Sequence, residues 1–318
     1  MSVSARPEPV STQRVVAVFI QRIGQHPNPA RATVSGLMGV SCVRVTSCFA
    51  VGSSAATSTS VPSALVERWN GKTWSIVKAP DVGMLTSVSC TSATFCFAVG
   101  GSLPERWNGT AWSTVKLPKV AGATAGSGLG SVSCTSATYC VGVGTFSVDG
   151  LSYNTFVERW NGKTWSIVPS PLAGGSDRVL DGVSCPTATT CLAVGLDEVE
   201  PAEFNTLAEH WNGNTWSEVA VPLPAGSSGG VLNGVSCPSA TNCLAVGWAG
   251  RGEFPGDAAF ALAEQWNGST WSVVKVPDVG RLSSVSCTSA MFCFAVGGSL
   301  PERWNGTTWS VVPSPNVG

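Results

Sequence analysis

The sequence predicts an all-β protein, a six-bladed β-propeller with four antiparallel strands and one C-x5-C hairpin disulfide per blade. Two repeated features carry that prediction. A V-S-C-x5-C-x-x-V-G stretch, followed after a variable interval by E-x-W-N-G-x-x-W-S and a proline, occurs six times in 318 residues. All twelve cysteines fall into the pairs Cys42/Cys48, Cys90/Cys96, Cys134/Cys140, Cys185/Cys191, Cys237/Cys243 and Cys287/Cys293, and twelve of the thirteen tryptophans pair in the same rhythm. A period of roughly 38 to 55 residues is that of a stacked or closed repeat architecture.

Four strand signals recur in each unit. The first is the apolar run into the leading cysteine, as in Leu180 to Cys185, and the second is C-x-A-V-G, as in Cys191 to Gly195. Five turn-prone residues such as Pro186-Thr187-Ala188-Thr189-Thr190 separate them, so the two read as a hairpin. The third strand is L/V-x-E-x-W and the fourth T-W-S-x-V. They are joined through Asn-Gly, the strongest short hairpin signal. A unit of this size cannot bury enough apolar surface alone, so the units must pack on one another. Four strands per ~40 to 50 residues is a propeller blade. Small residues such as Gly182 and Ala193 suit the crowded inner positions, and the Trp-bearing strands suit the wider outer part of the wedge.

The W-N-G-x-T-W-S segment resembles the Asp-box hairpin of sialidase-like propellers, with Asn70, Asn108, Asn161, Asn212, Asn267 and Asn305 at the aspartate position. The unit is also similar to kelch-type blades, whose double glycine corresponds to Gly100-Gly101 and Gly297-Gly298. As a whole it resembles a cysteine-paired propeller repeat of uncharacterised actinobacterial proteins. The resemblance covers residues 36–318 and implies the propeller fold without an activity, because this fold hosts binding and catalysis alike. Residues 1–35 are expected to be an N-terminal leader, which their Arg/Ser/Pro content would leave disordered, or an extra edge strand built on Val15 to Ile20.

Composition excludes several function classes. Charged residues are 12% and the net charge is −1, which removes the basic footprint of a nucleic-acid binder. No apolar run approaches the roughly 18 to 20 residues of a membrane-spanning helix. Six cysteine pairs point to an oxidising compartment, hence a secreted or cell-surface protein, although residues 1–35 carry no clear export signal. Structural disulfides bracketing a hairpin compete with metal ligation for the cysteines. Zinc would want tighter spacing or histidines, and the chain has only His26 and His210. No cofactor or metal is expected.

Each repeated residue type admits a chemical and a structural reading. The tryptophan pairs could stack sugars, or they could fill the space between blades. The glutamates Glu67, Glu105, Glu158, Glu209, Glu264 and Glu302 could serve acid/base or calcium chemistry, or could accept hydrogen bonds from a neighbouring blade or pair with arginine. Glycosidase chemistry needs two carboxylates in unlike environments, whereas repeats supply like ones. Asn108, Asn267 and Asn305 lie in N-x-S/T sequons but read as turn residues.

Variation is concentrated between the second and third strands, where blades 2 and 6 are minimal and blades 1, 3, 4 and 5 carry insertions. There the sequence places the candidate ligand-binding residues: Trp248, Arg251 and Phe254 in blade 5, Phe204 in blade 4, and Tyr153 and Phe156 in blade 3. The expected function is a monomeric, non-enzymatic binding module. Its first reading is a multivalent carbohydrate or cell-envelope binder, and the alternative is a protein-interaction scaffold using the long loops of blades 3 to 5. A hydrolase is disfavoured, because no unique nucleophile, base and orienter can be assembled.

Overall fold

The computed structural model describes residues 27, 29, 32–123, 127–150, 152–171, 177–200, 203–250 and 259–313. They form 24 strands in six separate four-stranded antiparallel sheets. Blade 1 comprises β1 (Val34–Arg44), β2 (Ser47–Ala55), β3 (Ser63–Trp69) and β4 (Trp74–Ile76). Blade 2 comprises β5 (Ser87–Ser92), β6 (Phe95–Val99), β7 (Glu105–Trp107) and β8 (Trp112–Thr114). Blade 3 comprises β9 (Ser127–Ser136), β10 (Tyr139–Ser147), β11 (Tyr153–Trp160) and β12 (Trp165–Val168). Blade 4 comprises β13 (Asp177–Thr187), β14 (Thr190–Glu200), β15 (Glu203–Trp211) and β16 (Trp216–Glu218). Blade 5 comprises β17 (Gly229–Ser239), β18 (Asn242–Gly250), β19 (Phe260–Trp266) and β20 (Trp271–Val273). Blade 6 comprises β21 (Ser284–Ser289), β22 (Phe292–Val296), β23 (Glu302–Trp304) and β24 (Trp309–Val311).

Among the described residues every blade is a meander in chain order, with no strand exchanged between blades. The first strands of successive blades lie against one another from β1 to β21, which makes them the inner wall of the propeller. Approach is closest at glycine. A Cβ on Gly182 would sit 3.1 Å from the Cα of Gly234, so even a methyl group would push blades 4 and 5 apart.

Six disulfides close the first hairpins, one per blade, in the pairing expected from the spacing: Cys42–Cys48, Cys90–Cys96, Cys134–Cys140, Cys185–Cys191, Cys237–Cys243 and Cys287–Cys293. No described cysteine is free. The bridges bracket their hairpins as expected, and their second halves also belong to the core. Cys48, Cys96, Cys140, Cys191, Cys243 and Cys293 are at most 3% exposed, so their sulfurs are core groups and offer nothing to a ligand. The cause is position. Each stands on the second strand, which is flanked by the first and third, and each pairs across the sheet with the first tryptophan of its blade, from Cys48 with Trp69 to Cys293 with Trp304. Their partners Cys42, Cys90, Cys134, Cys237 and Cys287 lie on the first strand and are only half-buried, whereas Cys185 is buried.

At the same end of each blade, the Asn-Gly turn folds onto the cysteine hairpin. Asn267 Oδ1 accepts the backbone N–H groups of Ser269 and Thr270 at 2.9 Å, and Gly268 takes the left-handed conformation at φ +103°. The indole N–H of the first tryptophan then donates to a carbonyl in the cysteine hairpin, as Trp107 does to Ala93 at 3.0 Å and Trp160 to Ala137 at 3.1 Å.

The core consists of five apolar clusters, each spanning the seam between two consecutive blades. In each, the residue after the second cysteine packs on the tryptophans of the next blade. Phe97 of blade 2 lies 5.0 Å from both Trp160 and Trp165 of blade 3. The serine before the first cysteine adds a polar stitch. The hydroxyls of Ser41, Ser89, Ser133, Ser184 and Ser236 accept the N–H groups of Cys90, Cys134, Cys185, Cys237 and Cys287 at 2.9 to 3.0 Å.

Candidate functional site

Among the described residues, the insertions of blades 1, 3, 4 and 5 are built largely into strand. They lengthen the first three strands, so that β13 and β14 run eleven residues where β5 and β6 run six and five. Blades 1, 3, 4 and 5 therefore stand taller than blades 2 and 6 on the face opposite the cysteine hairpins. Side chains brace the raised part. Arg178 on β13, 3% exposed, reaches Asp197 on β14 at 3.2 Å and donates to Glu218 on β16 at 2.8 Å. Asp177 of blade 4 accepts the backbone N–H of Tyr153 in blade 3 at 2.6 Å, tying those two blades at the rim.

The candidate aromatic residues divide by exposure. Tyr153 is 45% exposed and Phe204 is half-buried, whereas Phe156 is buried against Phe146. Trp248 is also buried. It lies with Phe204 on one side at 6.4 Å between ring centroids, and the Arg281 guanidinium stands 4.3 Å over its ring. It joins blades 4, 5 and 6 at the rim, and the surface left to solvent is that of its neighbours. Arg251 and Phe254 lie outside the described residues.

Beside this rim a groove of about 660 Å³ runs along the outer strands of blade 5, lined by Pro224, Phe260, Ala261, Val274, Val276 and Asp278. Sequence reasoning did not single out these positions. Their signal is the small-residue alternation Phe260-Ala261-Leu262-Ala263, which leaves space where a larger side chain would fill it.

The repeated residues are spent inside the propeller. The second tryptophan of blades 2 to 6 is covered by neighbours and 4 to 7% exposed, whereas Trp74 of blade 1 is half-buried. All six glutamates are fully buried. One inter-blade bond of the expected kind is formed by Glu209 of blade 4, which accepts from Ser170, in the linker leaving blade 3, at 2.7 Å. Both carboxyl oxygens of Glu105, Glu158, Glu264 and Glu302 meet no protein donor, so the expected arginine pairs or hydrogen bonds do not form there. Burial instead favours the protonated form of these groups. Desolvation raises Glu158 and Glu264 to about 8 and, with nearby Asp81 and Asp278 adding repulsion, Glu105 and Glu302 to about 7. Carboxylic acids sealed from solvent and alike in four blades offer no acid/base pair to a substrate. No group of three or more His, Cys, Asp or Glu able to hold a metal occurs among the described residues.

No protein-family model matches the chain, and no curated protein matches it. Solved structures share its architecture at low identity. YCF48 bound to D1 peptide aligns with a TM-score of 0.54 at 12% identity, over 89% of this chain and 87% of that one. The fungal lectin of Aleuria aurantia, a six-bladed β-propeller with a fucose recognition mode, aligns with a TM-score of 0.53 at 13% identity, over 91% and 100%. A polysaccharide lyase of family PL25, an ulvan lyase, aligns with a TM-score of 0.54 at 8% identity, over 91% and 84%. These neighbours define the class, a six-bladed β-propeller. They bind or cleave different ligands, so the likeness carries the fold alone.

Proposed function

We propose that the protein is a non-catalytic binding module, working outside the reducing cytoplasm, that takes a protein ligand on the raised face of blades 3, 4 and 5. One observation carries the reading: three consecutive blades are lengthened on the same face and braced there by Arg178, by the Asp177 to Tyr153 bond and by the Phe204, Trp248 and Arg281 stack. Rigid support under exposed aromatic and apolar side chains is what a recognition surface needs. The adjoining groove combines alkyl side chains with Lys275 and Asp278, which suits a peptide carrying both apolar and polar groups. The multivalent carbohydrate reading loses its repeated platform, because a pyranose could reach those tryptophans only by displacing the packing between blades.

The test is a peptide-display selection on the oxidised, full-length protein, run beside a glycan array. Selected peptides are expected to bind one per chain and to lose at least tenfold in affinity with the pair Tyr153→Ala and Phe204→Ala. Lys163→Ala, on the opposite turn face, should leave binding unchanged. A glycan binding at several equivalent sites per chain would restore the carbohydrate reading and defeat this one.

A further inference from the structure

The face formed by the cysteine hairpins and the Asn-Gly turns has a charge pattern of its own. In no blade do the five residues between paired cysteines, or the eight from the residue before the first tryptophan to the serine after the second, include aspartate or glutamate. They do include cations, and these are concentrated on three consecutive blades: Arg44, Arg68 and Lys72 in blade 1, Arg106 in blade 2, Arg159 and Lys163 in blade 3. Blade 6 adds Arg303, whereas blades 4 and 5 have His210 and Gln265 at the same strand position. Among the described residues Arg44, Arg68, Arg106, Arg159 and Lys163 form no ion pair. The acidic side chains Asp149, Asp177, Asp197 and Glu198 gather at the other end, on the raised face of blades 3 and 4. A chain of net charge −1 is thus polarised from end to end.

The third strand aims three of these arginines along the seams. Arg68, Arg106 and Arg159 stand across the sheet from Phe49, Phe97 and Val141, the residues that pack on the tryptophans of the next blade, and so share the face turned toward that blade. The Arg68 guanidinium lies 5.7 Å from the Phe49 ring and 5.8 Å from that of Trp107 in blade 2, an aromatic hold that limits its freedom. Arg68 and Arg106 are half-buried and Arg159 is exposed. On its other side each arginine pairs with an exposed serine of the fourth strand: Ser75, Ser113 and Ser166 respectively. A guanidinium with an adjoining hydroxyl therefore repeats once per blade along three blades.

We infer that this stripe binds a linear acidic polysaccharide, its carboxylate or sulfate groups pairing with Arg68, Arg106 and Arg159 and its hydroxyls meeting Ser75, Ser113 and Ser166. The guanidinium fork matches two oxygens of one acidic group, which a lysine ammonium does not. The setting selects a polymer over a lipid surface. An acidic chain can lower one residue toward each successive seam, whereas a flat layer of headgroups would meet projecting cations and leave the half-buried Arg68 and Arg106 unused. Single-stranded nucleic acid would want aromatic faces for its bases, and Trp107, Trp112, Trp160 and Trp165 beside the stripe are buried. The stripe lies at the opposite end from the raised face of blades 3 to 5, so its ligand and a peptide held there do not compete.

Titration of the oxidised, full-length protein with dextran sulfate, polygalacturonate, neutral dextran, DNA and phosphatidylglycerol vesicles tests this. At low ionic strength one or both acidic polysaccharides are expected to bind, with affinity falling as salt rises, and the preferred one distinguishes sulfate from carboxylate. The triple variant Arg68→Gln, Arg106→Gln, Arg159→Gln should lose roughly tenfold or more in affinity. Arg159→Gln alone, at an exposed position, should move in the same direction without disturbing a seam. Lys78→Gln, Lys116→Gln, Lys119→Gln removes the same charge from the exposed linkers at the opposite end and should leave binding unchanged. Equal losses in the two triple variants, binding of neither acidic polysaccharide, equal binding of neutral dextran, or tighter arginine-dependent binding of the DNA or the vesicles would overturn the assignment.

Discussion

The ring of Phe49 lies 5.1 Å from that of Trp107, across the seam between blade 1 and blade 2. Trp112 closes on the same phenylalanine edge-on at 5.2 Å, so one side chain from each blade is held by the tryptophan pair of the next. The equivalent residues are Phe97, Val141, Leu192 and Leu244, all buried. This explains why the tryptophans repeat: in blades 2 to 6 each pair is the socket for the preceding blade.

Phe97→Ala should therefore be among the most damaging single substitutions. The side chain is fully buried between Trp160 and Trp165, and emptying such a site costs about 3 to 5 kcal/mol. Thermal denaturation followed by tryptophan fluorescence should show the loss. A change below about 1 kcal/mol would mean that the two indoles collapse into the space.

Each disulfide closes a short hairpin with a sequence separation of 6. In the chain-entropy treatment a loop this short contributes about 2 kcal/mol, less than a bridge over a long loop. Replacing Cys185 and Cys191 together by serine should lower stability by at least that amount, since Cys191 is also a core group, and leave the oxidised protein folded. Reducing all six should have a several-fold larger effect, measurable as a drop in the urea midpoint with dithiothreitol. An unchanged midpoint would show that the inter-blade clusters alone set the stability.

The Asn-Gly turns give a sharper test of local geometry. Gly268 has φ +103°, and a Cβ there would lie 3.0 Å from the Thr241 methyl in the adjoining cysteine hairpin. Gly268→Ala then combines left-handed strain with a contact that Thr241 must relieve, and about 1 to 2 kcal/mol of destabilisation is expected. Adding Thr241→Ser removes that methyl and should recover the steric part only.

These features are legible in the sequence because they are local and repeated. The cysteine and tryptophan spacings encode blade number, strand order and disulfide pairing. They do not encode that the second cysteine of each bridge is sealed in the core, which depends on the third strand and the next blade covering it. The exposure of Val40 and Val296 is not legible either, since blades 1 and 6 carry the same motif as the rest. Trp248 stands out in the sequence by lying outside the repeat, yet its burial depends on Phe204 and Arg281, which come from other blades. The glutamates promise partners in the sequence. Their isolation follows from how the linkers cover the third strand, which spacing alone cannot report.

Those glutamates predict an unusual pH dependence. Glu158 and Glu264 are raised to about 8, and Glu105, Glu209 and Glu302 to about 7, chiefly by burial. Between the ordinary value of 4.5 and these raised values, the native state binds more protons than the unfolded chain. Stability from this source is fully present below about pH 4.5 and is lost as pH rises through 7 to 8, at up to about 1.4 kcal/mol per pH unit for each group. His210, lowered by burial, acts in the opposite sense but is a single residue against five. The thermal midpoint should consequently be higher at pH 5 than at pH 8.5. Glu264→Gln, which cannot ionise, should flatten the slope while costing little at pH 5. A midpoint that instead rises between pH 5 and pH 8.5 would show that the buried carboxyls are ionised and compensated in the native protein.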